Sequence, residues 1–339
     1  MAINMAMVGT GRMLELISQD LHLVPGMKPK VIVSRTETKA KWAADSYGFA
    51  EYSDNYSLIL ERDDIDLIYV ATPHSEHYAL AMQAIDAGKH VLVEKAMTTN
   101  GAQTTKLLDS ARTKNLFAME AMWMAFNPAI IQARKWVEDE ILGENLRLNA
   151  NFCMAPQYLP NSRLWAKELA GGSTLDQGVY TISLAHMLFG VPTQITAQGL
   201  VRHGVDAEVV TQMEFEKGHR ALCMNSLLAF GSNDAVIFGN QGTIQIDPMF
   251  WGTKGCNLTL RTGSGVSGTE RFEYSKEGAG YVPMLRAVVS AIQEGKTEHP
   301  LRSHMETIAV ATTMDVVLKS VLADQHPAER RSGIRGLST

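Results

Sequence analysis

The chain has 339 residues, and because a typical domain has roughly 100–200, we expect two domains. Hydrophobic residues make up 45% and charged residues 20%, and 31 basic against 36 acidic residues give a formal net charge of −5. This composition excludes a small disulfide-stapled scaffold, and it argues against binding nucleic acid or an anionic membrane surface through a basic face.

Targeting and membrane signals are missing from the sequence. The amino terminus has no basic region and reaches Gly9 too early for a secretory segment, so it predicts a strand. No stretch approaches the ~20 consecutive apolar residues of a membrane helix. The three cysteines, Cys153, Cys223 and Cys256, lack metal-type spacing and fit reduced thiols. We therefore expect a cytoplasmic protein without anchor or disulfide.

The first third of the chain alternates β-branched runs with helical periodicity, which is typical of a parallel sheet built from βαβ units. The predicted strands cover residues 3–8, 30–33, 67–70, 90–93 and 116–118. A helix is predicted over 75–87, because Tyr78, Met82 and Ile85 form one apolar stripe and Gly88 supplies a left-handed cap.

From about residue 146 the pattern changes to strands with little helix between them. These strands are predicted over residues 146–152, 194–201, 209–215, 221–227 and 243–246, with turns at Lys217-Gly218 and Gln241-Gly242. Helices beginning near Val282 and Met305 close the chain. The prediction is an α/β protein: an N-terminal Rossmann fold over residues 1–120, then a C-terminal α+β domain over 121–339 with a large, mostly antiparallel open sheet.

A glycine-rich segment, Gly9-Thr10-Gly11-Arg12-Met13-Leu14, follows the first strand directly and opens a helix. Gly9 permits a tight turn, Gly11 lets a pyrophosphate approach the backbone, and the helix amino terminus offers free N–H groups. Leu14 replaces the small third residue of the usual fingerprint, so an ordinary glycine turn is the alternative. The βαβ context favours a dinucleotide site.

The second strand ends in Val33-Ser34-Arg35, where NAD-binding proteins usually place an acidic residue. A hydroxyl followed by a guanidinium suits a ribose 2′-phosphate, whereas a carboxylate would repel it. The dipeptide therefore favours NADP over NAD. The alternative is that Arg35 is a solvated charge at the start of the next helix.

Three further residues stand where chemistry is expected. Lys95, in Val93-Glu94-Lys95-Ala96, follows a strand at the carboxyl edge, where open α/β sheets bind ligands. Asp176 and Tyr180 are four residues apart after Gly171-Gly172, so a helix would place both on one face. The alternatives are an exposed loop lysine, a capping aspartate and a core tyrosine.

At these residues the chain resembles the glucose-fructose oxidoreductase, inositol dehydrogenase and rhizopine catabolism (Gfo/Idh/MocA) superfamily. The resemblance rests on several segments that occur in the family's order: Val8-Gly9-Thr10-Gly11-Arg12, Ala71-Thr72-Pro73-His74-Ser75-Glu76-His77, Glu94-Lys95-Ala96, Glu120-Ala121-Met122-Trp123, and Gly171-Gly172 through Tyr180. Tyr180, where many members have histidine, together with Glu120-Ala121-Met122-Trp123 makes the chain most similar to the branch of dimeric dihydrodiol dehydrogenase and D-xylose dehydrogenase.

The resemblance implies an NAD(P)-dependent dehydrogenase or reductase acting on CH–OH groups, with Lys95, Asp176 and Tyr180 as catalytic residues. It implies an open C-terminal sheet that forms a homodimer or a higher homo-oligomer. Besides the glycine segment, the expected cofactor contacts are Ser34, Arg35, Ala71, Thr72, Pro73, His77, Glu94, Lys95 and Trp165. The expected substrate contacts are Trp123, Phe152, Tyr158, Asp176 and Tyr180.

Two departures from the family pattern carry expectations of their own. Ala96 replaces the usual proline, which is expected to remove a rigid or cis peptide beside Lys95. Ala125 and Asn127 stand where the branch commonly has an arginine and a second aromatic residue, so substrate recognition is expected to differ.

His74 and His77 are interpreted as residues that start a helix rather than as metal ligands, and no metal is expected. His186 is expected to be a satisfied core histidine.

The expected mechanism uses Tyr180 as the proton carrier, with its pKa lowered by the Lys95 ammonium within about 4–6 Å. Lys95 as the direct proton carrier is the alternative. The expected small-molecule substrate is a sugar-like or cyclic vicinal diol, or the matching carbonyl. Alternatives are an anhydro-sugar, an inositol or an aldose with NAD, and a dinucleotide-binding regulator without turnover. Retention of Lys95, Asp176 and Tyr180 together argues against the regulator.

Overall fold

The computed structural model describes residues 2–263 and 265–323. Its first sheet contains β1 (Ile3–Val8), β2 (Met27–Val33), β3 (Glu51–Ser53), β4 (Leu67–Val70), β5 (His90–Val93) and β6 (Ala118–Glu120). These strands are all parallel, in the order β3-β2-β1-β4-β5-β6. The order reverses between β1 and β4, and doubly wound sheets bind ligands at the carboxyl ends of the strands at such a point.

The strands of this sheet are buried on both sides because helices cover both of its faces. The helices of the described residues, over both sheets, are α1 (Arg12–His22), α2 (Glu37–Tyr47), α3 (Tyr56–Leu60), α4 (His74–Asp86), α5 (Gly101–Thr113), α6 (Pro128–Glu138), α7 (Val179–Phe189), α8 (Val282–Gln293) and α9 (His304–Ala323). Along β1, Met5 and Met7 enter one hydrophobic core, while Ala6 and Val8 enter the other. This alternation follows from the two-residue period of a strand.

The second sheet contains β7 (Arg147–Cys153), β8 (Gln194–Arg202), β9 (Val205–Glu214), β10 (Arg220–Ser226), β11 (Ala235–Phe238), β12 (Gly242–Ile246), β13 (Gly255–Thr262) and β14 (Gly265–Glu273). Its order is β14-β13-β12-β11-β7-β10-β9-β8. Only β7 and β10 pair in parallel among its described strands, because α7 and the β8–β9 hairpin lie between them in the chain. Helices α6, α7 and α9 pack on this sheet.

The last two helices return to the first sheet. The Ala118 N–H donates to the Thr297 carbonyl over 3.0 Å, and Asp315 accepts the Gly101 N–H at the start of α5 over 2.9 Å. The predicted boundary at residue 120 coincides with the end of β6, yet it separates α9 from a helix on which it packs. The two-domain division therefore stays a prediction, and Met1 and residues 324–339 lie outside the described residues.

The predicted α/β class is confirmed, and so are both sheets. The strand predicted over 116–118 is shifted by two residues, because the Phe117 N–H donates to the His90 side chain instead of to a neighbouring strand. The edge strand β3 was not predicted, and neither were β11, β13 and β14. Among the described helices, none combines the length and the apolarity of a membrane span.

Candidate active site

The carboxyl ends of β1 and β4 approach each other so closely that only glycine fits at position 9. Gly9 has φ +118°, and a Cβ there would lie 2.3 Å from the Ala71 carbonyl oxygen. At Gly11, by contrast, an added Cβ meets nothing within 4 Å. Arg12 begins α1 as an exposed residue, and the half-buried Met13 packs on the core. The space before α1 thus suits an anion such as a pyrophosphate.

Two hydroxyl groups meet beside this space. The Thr10 and Ser34 side-chain oxygens are 3.0 Å apart, which joins the ends of β1 and β2. Arg35 follows Ser34 and is exposed. The neutral donor and the cation predicted for a ribose 2′-phosphate therefore stand together at the open edge of the sheet.

The loop after β4 contributes the other wall of the crevice. Pro73 precedes α4, and the Thr72 hydroxyl is buried without a hydrogen-bond partner among the described residues. His77 is fully buried, and its two ring nitrogens lie 2.8 Å from the Thr72 carbonyl and 2.9 Å from the Ala96 carbonyl. An unsatisfied buried hydroxyl at this position fits a polar ligand, so Gly9, Gly11 and Thr72 together fit a dinucleotide.

The His74 and His77 side chains hold neighbouring loops together through contacts with their backbone carbonyl groups. The two rings lie edge to face, 5.5 Å apart, and His74 contacts the carbonyl oxygens of Lys95 at 3.2 Å and Ala170 at 3.3 Å. Burial lowers the pKa of His74 to about 3, and His77 and Lys95 act in the same direction. Within residues 2–263 and 265–323, no group of three or more metal-ligating side chains is close enough to hold a metal.

The peptide bond between Lys95 and Ala96 is cis. The expectation that alanine at position 96 removes a cis peptide is therefore wrong. Hydrogen bonds hold this segment in place of a proline ring: His77 contacts the Ala96 carbonyl, and the Met97 N–H donates to Glu120 Oε1 over 2.7 Å.

Glu120 is itself fixed by a buried arginine from the far end of the sequence. Arg302 is 1% exposed and donates its Nε–H to Glu120 Oε2 over 2.9 Å. Such a pair contributes geometry more than stability, because desolvation offsets much of its attraction. Arg302 was not predicted, since a lone arginine carries no sequence signal for a partner 182 residues away.

Lys95 and Asp176 form the centre of the site. Lys95 Nζ donates to Asp176 Oδ1 over 3.0 Å and to the Asp176 carbonyl over 2.6 Å, and both side chains are 11% exposed. Arg163 donates to the same Oδ1 over 2.7 Å. Burial acts to raise the pKa of Asp176, but the two cations outweigh it and hold this pKa well below its ordinary range. Asp176 is therefore a carboxylate shared by two cations.

The backbone around Asp176 is a π-helical turn, Thr174–Gly178, which leads into α7. Asp206 anchors its start by accepting the Thr174 N–H over 2.7 Å and the Ser173 hydroxyl over 3.2 Å. A π-helical turn often marks a functional site because it changes side-chain spacing. The structure nevertheless brings the three predicted catalytic residues together, since Lys95 Nζ lies 4.8 Å from the Tyr180 ring centroid.

The Tyr180 hydroxyl accepts a hydrogen bond from Trp123 Nε1 over 3.0 Å. Burial raises the pKa of Tyr180 well above its ordinary value, Tyr281 and Glu94 act in the same direction, and the Trp123 bond opposes them. The expectation of a lowered Tyr180 pKa is wrong for this structure, because burial and these two neighbours outweigh the interactions that favour the phenolate. Tyr180 is a neutral phenol here.

Glu94 is a second buried acid beside Lys95. Its carboxylate accepts the Tyr69 hydroxyl and, over 3.3 Å, the Lys95 N–H. Burial raises the pKa of Glu94 to about 7, although the Tyr69 bond and the Lys95 charge act in the opposite direction. Glu94 thus lines the edge of the sheet next to the predicted catalytic lysine.

The predicted aromatic residues fall into two groups. Phe152 stacks on Trp251 with ring centroids 3.6 Å apart, and Tyr180 lies 5.5 Å from Phe152. The exposed Tyr158 instead stacks on His203, at 3.8 Å, and meets Trp165 edge-on at 5.3 Å. The Trp165 Nε1–H is buried without a hydrogen-bond partner among the described residues, which fits a donor to a bound ligand.

Other side chains of the region were either missed or assigned correctly. Trp251 and Arg163 were not predicted, although Arg163 stands only two residues before Trp165, an expected cofactor contact. His186 is buried, and its Nε2 lies 3.0 Å from the Thr313 hydroxyl. The interpretation of His186 as a satisfied core histidine is confirmed.

A doubly wound sheet with a glycine cradle, next to a lysine, aspartate and tyrosine cluster, is the arrangement of a dinucleotide-dependent oxidoreductase. The sequence matches the Gfo/Idh/MocA family described as "Oxidoreductase family, NAD-binding Rossmann fold" over residues 3–122 and the "GFO/IDH/MocA C-terminal domain" over residues 130–245. The chain belongs to this family, and the predicted resemblance is confirmed.

Known proteins resemble the chain over nearly its whole length. Trans-1,2-dihydrobenzene-1,2-diol dehydrogenase of Sus scrofa is 30% identical over 335 residues, covering 95% of this chain and 97% of the relative. A structure of levoglucosan dehydrogenase with NADH and levoglucosan has TM-score 0.87 at 22% identity, covering 96% and 98%. A 3-ketoreductase from Actinomadura kijaniata with NADP has TM-score 0.81 at 23% identity, covering 95% and 98%. At these identities the two structures support the fold alone.

Proposed function

We propose that the protein is an NADP-dependent oxidoreductase that transfers a hydride between nicotinamide and a cyclic vicinal diol or sugar-like substrate, or the matching carbonyl. The observation that carries this proposal is the Tyr180 hydroxyl, held by Trp123 beside the Lys95–Asp176 pair. The stacked pair of Phe152 and Trp251 lies beside Tyr180 and would form an apolar wall next to the reacting group. The diol-oxidising relative supports this substrate class.

The cofactor would lie along the carboxyl edge of the first sheet. Gly9 and Gly11 would admit its pyrophosphate to the amino terminus of α1, and Ser34 and Arg35 would hold a ribose 2′-phosphate. The unpartnered Thr72 hydroxyl would bind it as well. When bound, the dinucleotide supplies or accepts the hydride.

Tyr180 would give a proton to the substrate oxygen during reduction. The indole N–H of Trp123 can only donate, so it occupies a lone pair of the Tyr180 oxygen and leaves the phenolic proton directed elsewhere. As the phenolic O–H bond breaks, the new substrate O–H bond forms, and the phenolate is stabilised by Trp123 and by the Lys95 charge. Asp176 holds Lys95 in place. Oxidation follows the reverse path.

The activity test follows the absorbance of reduced nicotinamide with the purified protein. Trans-dihydrodiols, aldoses, anhydro-sugars and inositols are supplied with NADP or NAD, and the matching carbonyls with NADPH or NADH. We expect turnover of a cyclic diol, with a higher kcat/KM for NADP than for NAD. Tight dinucleotide binding without turnover of any substrate would favour the regulator and contradict the proposal.

Replacing Arg35 with alanine tests the NADP preference separately. Loss of a charge-assisted bond to the 2′-phosphate removes about 1.5–3 kcal/mol, which corresponds to a rise of about 10- to 100-fold in the KM for NADP. The KM for NAD is expected to stay constant, because NAD lacks that phosphate. The exposed Lys106 of α5, replaced with alanine, is the matched control for losing a surface cation. Equal changes for both cofactors would show that Arg35 does not read the 2′-phosphate.

We also propose a homodimer or higher homo-oligomer, formed through the face of the second sheet that the helices leave open. Leu200, Val210, Leu222 and Phe238 are exposed on consecutive or nearby strands of this sheet, each between 38% and 47%. Apolar side chains on an uncovered sheet face favour burial against another chain. The three buried free cysteines support a reducing, cytoplasmic compartment.

A further inference from the structure

Asp20 is a fully buried carboxylate near the carboxyl end of α1, and it binds a distant segment of the chain. It accepts the N–H groups of Ala279 over 2.7 Å, Gly280 over 3.0 Å and Tyr281 over 2.7 Å. Gly278 has φ +58°, and a Cβ there would lie 2.0 Å from Asp20 Oδ1. The segment 278–281 therefore wraps around the carboxylate, and we call this contact the Asp20 clamp.

The carboxylate of Asp20 does not stabilise α1, the helix that carries it. A negative charge near the carboxyl end of a helix opposes the helix dipole, and a buried carboxylate is costly unless hydrogen bonds satisfy it. Three charge-assisted bonds to one segment satisfy it. The placement of Asp20 is thus explained by what the clamp holds.

The clamp holds Tyr281, the residue that caps the amino terminus of α8. The Tyr281 ring stacks on the Trp123 indole, with centroids 4.6 Å apart and planes 29° apart. The indole also contacts the backbone at Gly252, where an added Cβ would lie 2.4 Å from Trp123 Cη2. Trp123 is therefore fixed, and its Nε1–H donates to the Tyr180 hydroxyl.

We propose that Asp20 is a positioning residue for Tyr180 and acts through Tyr281 and Trp123. The proposal rests on the proposed role of Tyr180 as the proton carrier. The first turn of α1 faces the proposed pyrophosphate site, and its last turns carry the clamp. One helix thus sets the positions of both the dinucleotide and the proton carrier. These two groups must reach the carbon and the oxygen of the same substrate C–O group.

The test replaces Asp20 with asparagine, which keeps the volume but turns an NH₂ group toward N–H donors. We expect kcat to fall about 10- to 100-fold, as for a misplaced catalytic group, while the dinucleotide Kd stays within about twofold. The Trp123 indole N–H resonance, assigned by its loss in Trp123→Phe, should shift and exchange faster. The control is Asp66→Asn, which alters a carboxylate that accepts the Asn4 N–H over 2.7 Å at the amino-terminal ends of β1 and β4 and does not contact the segment 278–281. That control should leave kcat and the resonance unchanged.

Two further variants keep the proposal falsifiable if Asp20→Asn fails to fold. Tyr281→Leu removes the ring stack but leaves the clamp, and it should reproduce both the fall in kcat and the Trp123 shift. In the Trp123→Phe background, Asp20→Asn should add less than about twofold, because residues acting through one another are not additive. A fully additive effect, or an unchanged kcat in both Asp20→Asn and Tyr281→Leu, overturns the proposal. Full turnover by Tyr180→Phe would instead contradict the proposed function.

Discussion

Tyr180→Phe is expected to lower kcat about 10²- to 10⁴-fold in both directions, which is the usual contribution of a positioned acid or base. The ring keeps its place beside Phe152, so substrate and dinucleotide affinities should change little. The loss is therefore expected in kcat and not in KM. Stopped-flow single-turnover measurement of nicotinamide absorbance separates this chemical step from product release.

The direction of the Tyr180 pKa shift predicts how the rate of reduction depends on pH. Since burial holds the pKa of Tyr180 above its ordinary value, the proton needed for reduction is present throughout the neutral range. The rate of reduction should not fall between pH 7 and about 9 through loss of this proton. A Tyr180→Phe protein with wild-type turnover, together with an inactive Lys95 variant, would transfer the role of proton carrier to Lys95.

Local sequence signals predicted the parts of the fold that depend on neighbours in the chain. The turn after β1 at Gly9 and the turn at Gln241-Gly242 both form as predicted. At each glycine, a Cβ would collide with a neighbouring backbone carbonyl group. β14 was missed because its side chains are mostly exposed and show no apolar alternation, and β3 was missed because it has only three residues. Periodicity reports burial on one face, so strands without a buried face give no signal.

The candidate site was predictable in its residue types but not in its electrostatics. The motifs indicated Lys95, Asp176 and Tyr180, and the structure brings them together. The sign of the Tyr180 pKa shift depends on burial and on the neighbouring Tyr281 and Glu94, which sequence spacing cannot give. Arg302 bonds to a glutamate 182 residues away in the sequence, and Asp20 bonds to a segment at least 259 residues away. Only the folded chain reveals these partners.

Lys95→Met is expected to lower kcat at least about 10²-fold, because it removes the cation that stabilises the Tyr180 phenolate. The substitution also leaves Asp176 buried with Arg163 as its remaining ion-pair partner among the described residues. Loss of activity could thus arise from a missing catalytic charge or from an unbalanced carboxylate. The thermal unfolding midpoint and the dinucleotide Kd, measured beside kcat, report on the second cause.

The double variant Lys95→Met with Asp176→Asn separates these causes. Asparagine removes the negative charge, so a merely structural counter-ion role for Lys95 predicts recovery of both the unfolding midpoint and kcat. We expect the midpoint to recover while kcat stays low, because no ammonium faces the Tyr180 ring. Lys95→Arg keeps a cation but changes its shape and reach, and we expect partial activity from it. Recovery of wild-type kcat in the double variant would assign Lys95 to structure, and Tyr180 would then act without a neighbouring charge.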